Sequence, residues 1–101
     1  AQRFIPSPRF PDATRDLALL ADENLPAQRI QQIIEEHPLV IKATVFDIFS
    51  GAQVPAGEKS MTYRLQFQSP THTLTNDEVN EAVIWLLDQL ADRAGVKRRD
   101  S

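Results

Sequence analysis

The sequence predicts an α+β domain with its elements in the order β-α-β-β-α-β. Three observations carry that expectation. Met61, Tyr63, Leu65 and Phe67 alternate with polar Thr62, Arg64 and Gln66, the period of a half-buried strand. Ile30, Ile33 and Ile34, and again Val79 through Leu90, repeat at helical spacing instead. Runs such as Leu39 to Phe49 are rich in β-branched residues and short enough to be strands.

Residues 1–13 hold Pro6, Pro8 and Pro11, with Phe4, Ile5 and Phe10 between them. Proline is denied helix interiors and central strands, so this segment is expected to be an extended arm packed on the domain. The domain proper then covers 14–101. Its first strand is Arg15-Asp16-Leu17-Ala18-Leu19-Leu20-Ala21, and Asp22-Glu23-Asn24 breaks it. Pro26 suits the first turn of a helix, where a missing N–H costs nothing, and His37-Pro38 ends the pattern.

The second strand spans Leu39 to Phe49. Ser50 to Gly57 holds Gly51, Pro55 and Gly57, which makes a long hairpin loop rather than a tight turn. On the third strand Ser60, Thr62, Arg64, Gln66 and Gln68 are expected to point into water. Thr75 and Glu78 have the spacing of a capping box. Val79, Ala82, Val83, Leu86, Leu87 and Leu90 form the apolar stripe of the second helix, and Gly95 terminates it. Val96-Lys97-Arg98 supplies a short last strand. This order is the split βαβ arrangement of ferredoxin-like folds: a four-stranded antiparallel sheet with two helices on one face. The other sheet face is left open, and the polar row of the third strand belongs to it.

Composition narrows the function. At 101 residues the chain is one domain, and 42% hydrophobic with 25% charged residues is ordinary for a soluble globular one. No apolar run approaches the roughly 18 residues of a membrane span, and no secretory signal pattern is present. Cysteine is absent, which excludes disulfides and thiolate metal sites. The start at Ala1, running straight into a proline-rich stretch, reads as a domain cut from a larger protein. The net charge of −3 means that any nucleic-acid role must rest on a local patch.

Enzyme readings find little support. Gly51, Gly57 and Gly95 make no phosphate-binding loop. His37 and His72 have no spacing that supports a nucleophile or metal set, and both are expected to be solvated turn or loop residues. Asp77, Glu78 and Glu81 suit the positive end of a helix. An acylphosphatase would need a phosphate loop after the first strand, where acidic Asp22-Glu23-Asn24 stands instead.

What remains is a surface with Ser60, Thr62 and Arg64, flanked by Asp47 and Phe49. An aromatic to stack a base, an acid and a hydroxyl for its edge, and nearby cations match single-stranded RNA recognition. A carboxylate only accepts, so Asp47 would suit the N1–H and N2–H₂ of guanine. The same residues also fit a bland reading, with Phe49 in the core, Asp47 capping the loop, and Ser60 and Thr62 merely solvated.

The ordered motifs carry a resemblance. Phe10-Pro11, Arg15-Asp16-Leu17-Ala18-Leu19, Phe46-Asp47-Ile48-Phe49, Gly51, Gly57-Glu58-Lys59-Ser60, Tyr63-Arg64-Leu65-Gln66-Phe67 and Thr73-Leu74-Thr75-Asn76-Asp77-Glu78-Val79-Asn80 run through nearly the whole chain. Together they resemble the C-terminal ferredoxin-fold anticodon-binding domain of the phenylalanyl-tRNA synthetase beta subunit. The resemblance implies binding to the anticodon loop of phenylalanine tRNA, whose first anticodon base is guanine. It places the reading residues at Asp47, Phe49 and Ser60: acceptor, stacking ring and hydroxyl. Family members often carry tyrosine where Phe49 stands; stacking survives that change, but a phenolic contact does not. Lys59 and Arg64 are added as candidates for RNA-backbone contacts on charge and expected exposure.

The resemblance further implies a cytoplasmic ligase, of bacterial type, in which this fragment is a non-catalytic binding module without a cofactor. ATP and magnesium would be bound elsewhere in the full-length enzyme, whose partners include the remainder of the beta subunit and the alpha subunit. The alternative is a ferredoxin-like domain that docks protein or senses a small molecule.

Overall fold

The computed structural model describes residues 10–99; residues 1–9 of the arm expected over 1–13 lie outside the described residues, and Ala13 already begins the first strand. The elements follow the expected order: β1 (Ala13–Asp22), α1 (Ala27–Ile34), β2 (Val40–Phe49), β3 (Glu58–Phe67), α2 (Asn76–Ala94) and β4 (Lys97–Arg98). The strands form one four-stranded antiparallel sheet in the order β2-β3-β1-β4. This is the ferredoxin-like topology. The central pair β1 and β3 is in register from Ala13↔Phe67 to Asp22↔Glu58.

The core lies between the sheet and the two helices. Leu17 and Leu19 of β1 and Met61, Tyr63, Leu65 and Phe67 of β3 face it. Ile30, Ile33 and Ile34 of α1 and Val79, Ala82, Leu86 and Leu90 of α2 close it from the other side. Val83 and Leu87 complete the α2 stripe as partly buried residues. Burying each large aliphatic chain stabilises the fold by roughly 1.5–3 kcal/mol. The Tyr63 hydroxyl, deep in this layer, donates to the Ala27 carbonyl at 2.9 Å and ties the start of α1 to the sheet. Its burial pushes the phenol up to about 12.

The helix ends follow the sequence closely. Thr75 accepts from the Glu78 N–H at 3.1 Å, and the Glu78 carboxylate accepts from the Thr75 N–H at 2.9 Å. At the other end Gly95 takes a φ of 65°, and the Val96 N–H reaches back to the Leu90 carbonyl at 3.1 Å. A residue with a Cβ is disfavoured in that left-handed turn, and the turn sends the chain back along β1. Lys97 and Arg98 then pair with Leu20 and Leu19, and the Arg99 N–H continues the edge by donating to the Ala18 carbonyl at 2.8 Å.

His72 is exposed in its loop, as expected, whereas His37 is not the freely solvated residue that its turn position suggests. His37 is partly buried, its Nδ1 accepts from the Leu39 N–H at 3.1 Å, and its ring meets Trp85 edge-on at 5.2 Å. Burial pushes its pKa down, which keeps Nδ1 an acceptor. His72 Nδ1 contacts the Thr71 hydroxyl at 2.8 Å, and Nε2 contacts Glu78 at 2.7 Å. This hydroxyl–imidazole–carboxylate chain braces the loop against the α2 cap, because the same Glu78 carboxylate closes the capping box.

Candidate nucleic-acid interface

The open face is made by side chains that alternate with the core residues. From β3 these are Ser60, Thr62, Arg64 and Gln66; from β1, Thr14, Asp16, Ala18 and Leu20. β2 contributes through an irregularity. Val45 pairs with Tyr63, yet Asp47 pairs with Thr62, so Phe46 is an extra residue opposite a single step of β3.

That bulge decides the site. Before it, Ala43 and Val45 share the core face with Leu65 and Tyr63. Strict alternation would send Asp47 and Phe49 to the same buried side. The extra residue reverses the parity, so Asp47 lies beside Thr62 and Phe49 beside Ser60 on the open face. Phe46 also emerges there, because the Arg64 guanidinium carbon sits 4.8 Å from its ring centre.

Ser60 departs from the expected solvated row: it is 0% exposed. Arg99 explains this. Its Nη1 donates to Ser60 Oγ at 3.1 Å, and its guanidinium carbon lies 4.9 Å from the Phe49 ring centre. The arginine and the neighbouring ring together roof the hydroxyl. Ser60 keeps an O–H to donate, since only its acceptor capacity is used. Asp47 stands exposed alongside.

Arg64 is exposed and bound to its neighbour. Nε and Nη2 donate to the two oxygens of Asp16 at 2.9 and 3.1 Å. This pairing holds the Asp16 carboxyl below its ordinary range and raises the guanidinium. A phosphate would have to compete with that carboxylate. Lys59 pairs with buried Ala21, so the pleat sends it toward the helix side, away from the other four candidates.

The structure therefore brings together Asp47, Phe49 and Ser60, sets Arg64 on the same face, and turns Lys59 across it. Two residues escaped the sequence reading. Phe46 was hidden because a bulge cannot be read from alternation. Arg99 was hidden because it follows a two-residue strand whose partner is distant in sequence. Its only signal was the basic run Lys97-Arg98-Arg99.

Among the described residues no group of three or more His, Asp or Glu side chains is placed to hold a metal ion. A hollow of about 380 Å³, lined by Arg15, Leu17, Ile84, Leu87 and Arg98 among others, lies between α2 and the β1–β4 edge. No described helix is long and apolar enough to cross a membrane.

The sequence matches the family profile of the ferredoxin-fold anticodon binding domain over residues 8–99. The chain belongs to that family. Among similar proteins, the phenylalanine–tRNA ligase beta subunit of Geobacillus kaustophilus is 44% identical over 81 residues, 78% of this chain and 10% of that protein. The subunit of the same name from Dehalococcoides mccartyi is 38% identical over 97% of this chain and 12% of its own length. That of Methylococcus capsulatus is 39% identical over 97% of this chain and 13% of its own length. The anticodon binding domain described here thus spans about an eighth of the relatives it matches.

Proposed function

We propose that this chain is the anticodon-binding module of a phenylalanine–tRNA ligase beta subunit, reading the guanine of the phenylalanine anticodon on its open sheet face. The observation that carries this reading is the convergence of Asp47, Phe49 and Ser60, with Arg99, on one surface. Family membership and the names of the relatives support it.

Each group then has a task. Asp47 accepts from N1–H and N2–H₂ of guanine, which an adenine edge cannot supply. Phe49 stacks on the base. Ser60 holds Arg99 in the free protein; when Arg99 turns toward the RNA, the Ser60 hydroxyl becomes available to the base. Catalysis, with its ATP, magnesium and phenylalanine, belongs to the rest of the ligase, including the alpha subunit, in the cytoplasm. An acidic domain can serve here because the remainder of such an enzyme supplies most phosphate contacts, leaving local discrimination to this module.

Aminoacylation by the complete ligase tests the assignment. With Phe49→Ala, the preference for guanine over a substituted first anticodon base is expected to collapse while circular dichroism of the domain stays unchanged. An unaltered base preference rejects the site. A stable homodimer that buries the Asp47 surface would favour a protein-docking role instead.

A further inference from the structure

We propose that Phe46 and Arg64 form a second stacking platform on the open face, taking the nucleotide next to the guanine. This rests on the anticodon reading of the same face and extends it from one base to two.

Three observations carry it. Phe46 is 51% exposed, although it is a large apolar residue. Its neighbour is the planar guanidinium of Arg64, 4.8 Å from the ring centre. Asp16 grips that guanidinium with both oxygens and fixes its plane. An exposed ion pair of this kind contributes little to stability, so stability is a poor reason for the arrangement. It does neutralise the charge and leave the half-exposed guanidinium, layered over the ring, as a plane on which a base can stack.

Position sets the occupant. Phe46 precedes Phe49 by three residues on β2, and the bulge puts both rings on one face. The strand rise separates them by about 10 Å or slightly less, a gap that two neighbouring nucleotides of an unstacked strand can bridge. With its charge matched by Asp16, Arg64 serves here as a stacking plane rather than as a phosphate clamp.

A double-mutant cycle on the complete ligase tests the platform. Phenylalanine tRNA is prepared with an abasic nucleotide on either side of the anticodon guanine, and binding is measured for the wild type, Phe46→Ala and Phe46→Tyr. Removing the stacked base, or Phe46, is expected to weaken binding by about 5- to 150-fold. In Phe46→Ala the abasic change on one side should add nothing further, whereas Phe46→Tyr should behave as the wild type. No loss in Phe46→Ala, or losses that simply multiply at both positions, would overturn the platform. Guanine preference separates the two readings: it should persist in Phe46→Ala and vanish in Phe49→Ala. If the wild type shows no guanine preference, the anticodon assignment itself has failed.

Discussion

Arg99 donates to Ser60 Oγ at 3.1 Å while its guanidinium carbon lies 4.9 Å from the centre of the Phe49 ring, so one cation holds a buried hydroxyl and an aromatic plane at once. Removing it should disturb both. We expect Arg99→Ala to lower stability by about 1 kcal/mol, from a cation–π contact and a hydrogen bond that are only partly shielded. The same variant should weaken tRNA binding and make its salt slope shallower by about 0.7, the value for one phosphate of a single strand. Arg99→Lys should keep the slope and lose the stack. Chemical denaturation and binding titrations at several salt concentrations measure all three effects.

Asp47 is exposed on the open face beside Thr62, and in the proposed role its acceptor-only group would discriminate by what it refuses. Asp47→Asn introduces a donor that can satisfy adenine. Discrimination between guanine and adenine at the first anticodon base should fall by about 5- to 150-fold, the worth of a bidentate base contact of about 1–3 kcal/mol. The salt slope should not move, because no phosphate contact is lost. Competition between the two tRNAs in aminoacylation reads the first effect.

Tyr63 is the chain's one tyrosine, so tyrosinate absorbance reports on it alone. Its folded pKa of about 12 lies above that of an unfolded phenol, about 10. The folded state therefore holds its proton where the unfolded state releases it. That contribution is complete below about pH 10 and is lost as pH rises toward 12. Tyr63→Phe should remove this alkaline loss. It should also cost about 0.5–1.5 kcal/mol at neutral pH through the missing bond to Ala27. Denaturant unfolding across the alkaline range checks both.

The cap of α2 predicts an acid response. The Thr75 N–H and then His72 hold the Glu78 carboxyl below its ordinary range. Its contribution is present above the unfolded carboxylate pKa and disappears as pH falls through the lower folded value. Glu78→Gln should flatten the acid limb of the stability profile. Thr75→Ala should cost about 1 kcal/mol near neutrality, as for other lost N-caps. Thermal melts over an acid series distinguish the two.

Much of this architecture was legible in the sequence because local chemistry and tertiary need agree. The alternation from Met61 to Phe67 marks β3, and Thr75, Glu78 and Gly95 mark both ends of α2. The open face was legible only in part. Asp47 and Phe49 carried a recognisable motif, but periodicity alone would bury them with Ala43 and Val45. A register change set by pairing with β3 overrides it. Ser60 looked solvated because alternation gives the face on which a residue lies, not what covers it. Its cover, Arg99, arrives from 39 residues further along the chain. His37 misled for a similar reason, since Trp85, which packs against it, belongs to a different helix.

β2 is an edge strand, with one side of its backbone unpaired among the described residues, and it bears exposed Ile41, Phe46 and Ile48. Such an edge would ordinarily invite strand-to-strand association with another copy. The irregularities at Ile41 and at Phe46 break the regular spacing of its free N–H and C=O groups. An apolar ring can thus stand in water on this strand without offering a template for aggregation, and straightening β2 to regular pairing would put solubility at risk as well as the proposed recognition.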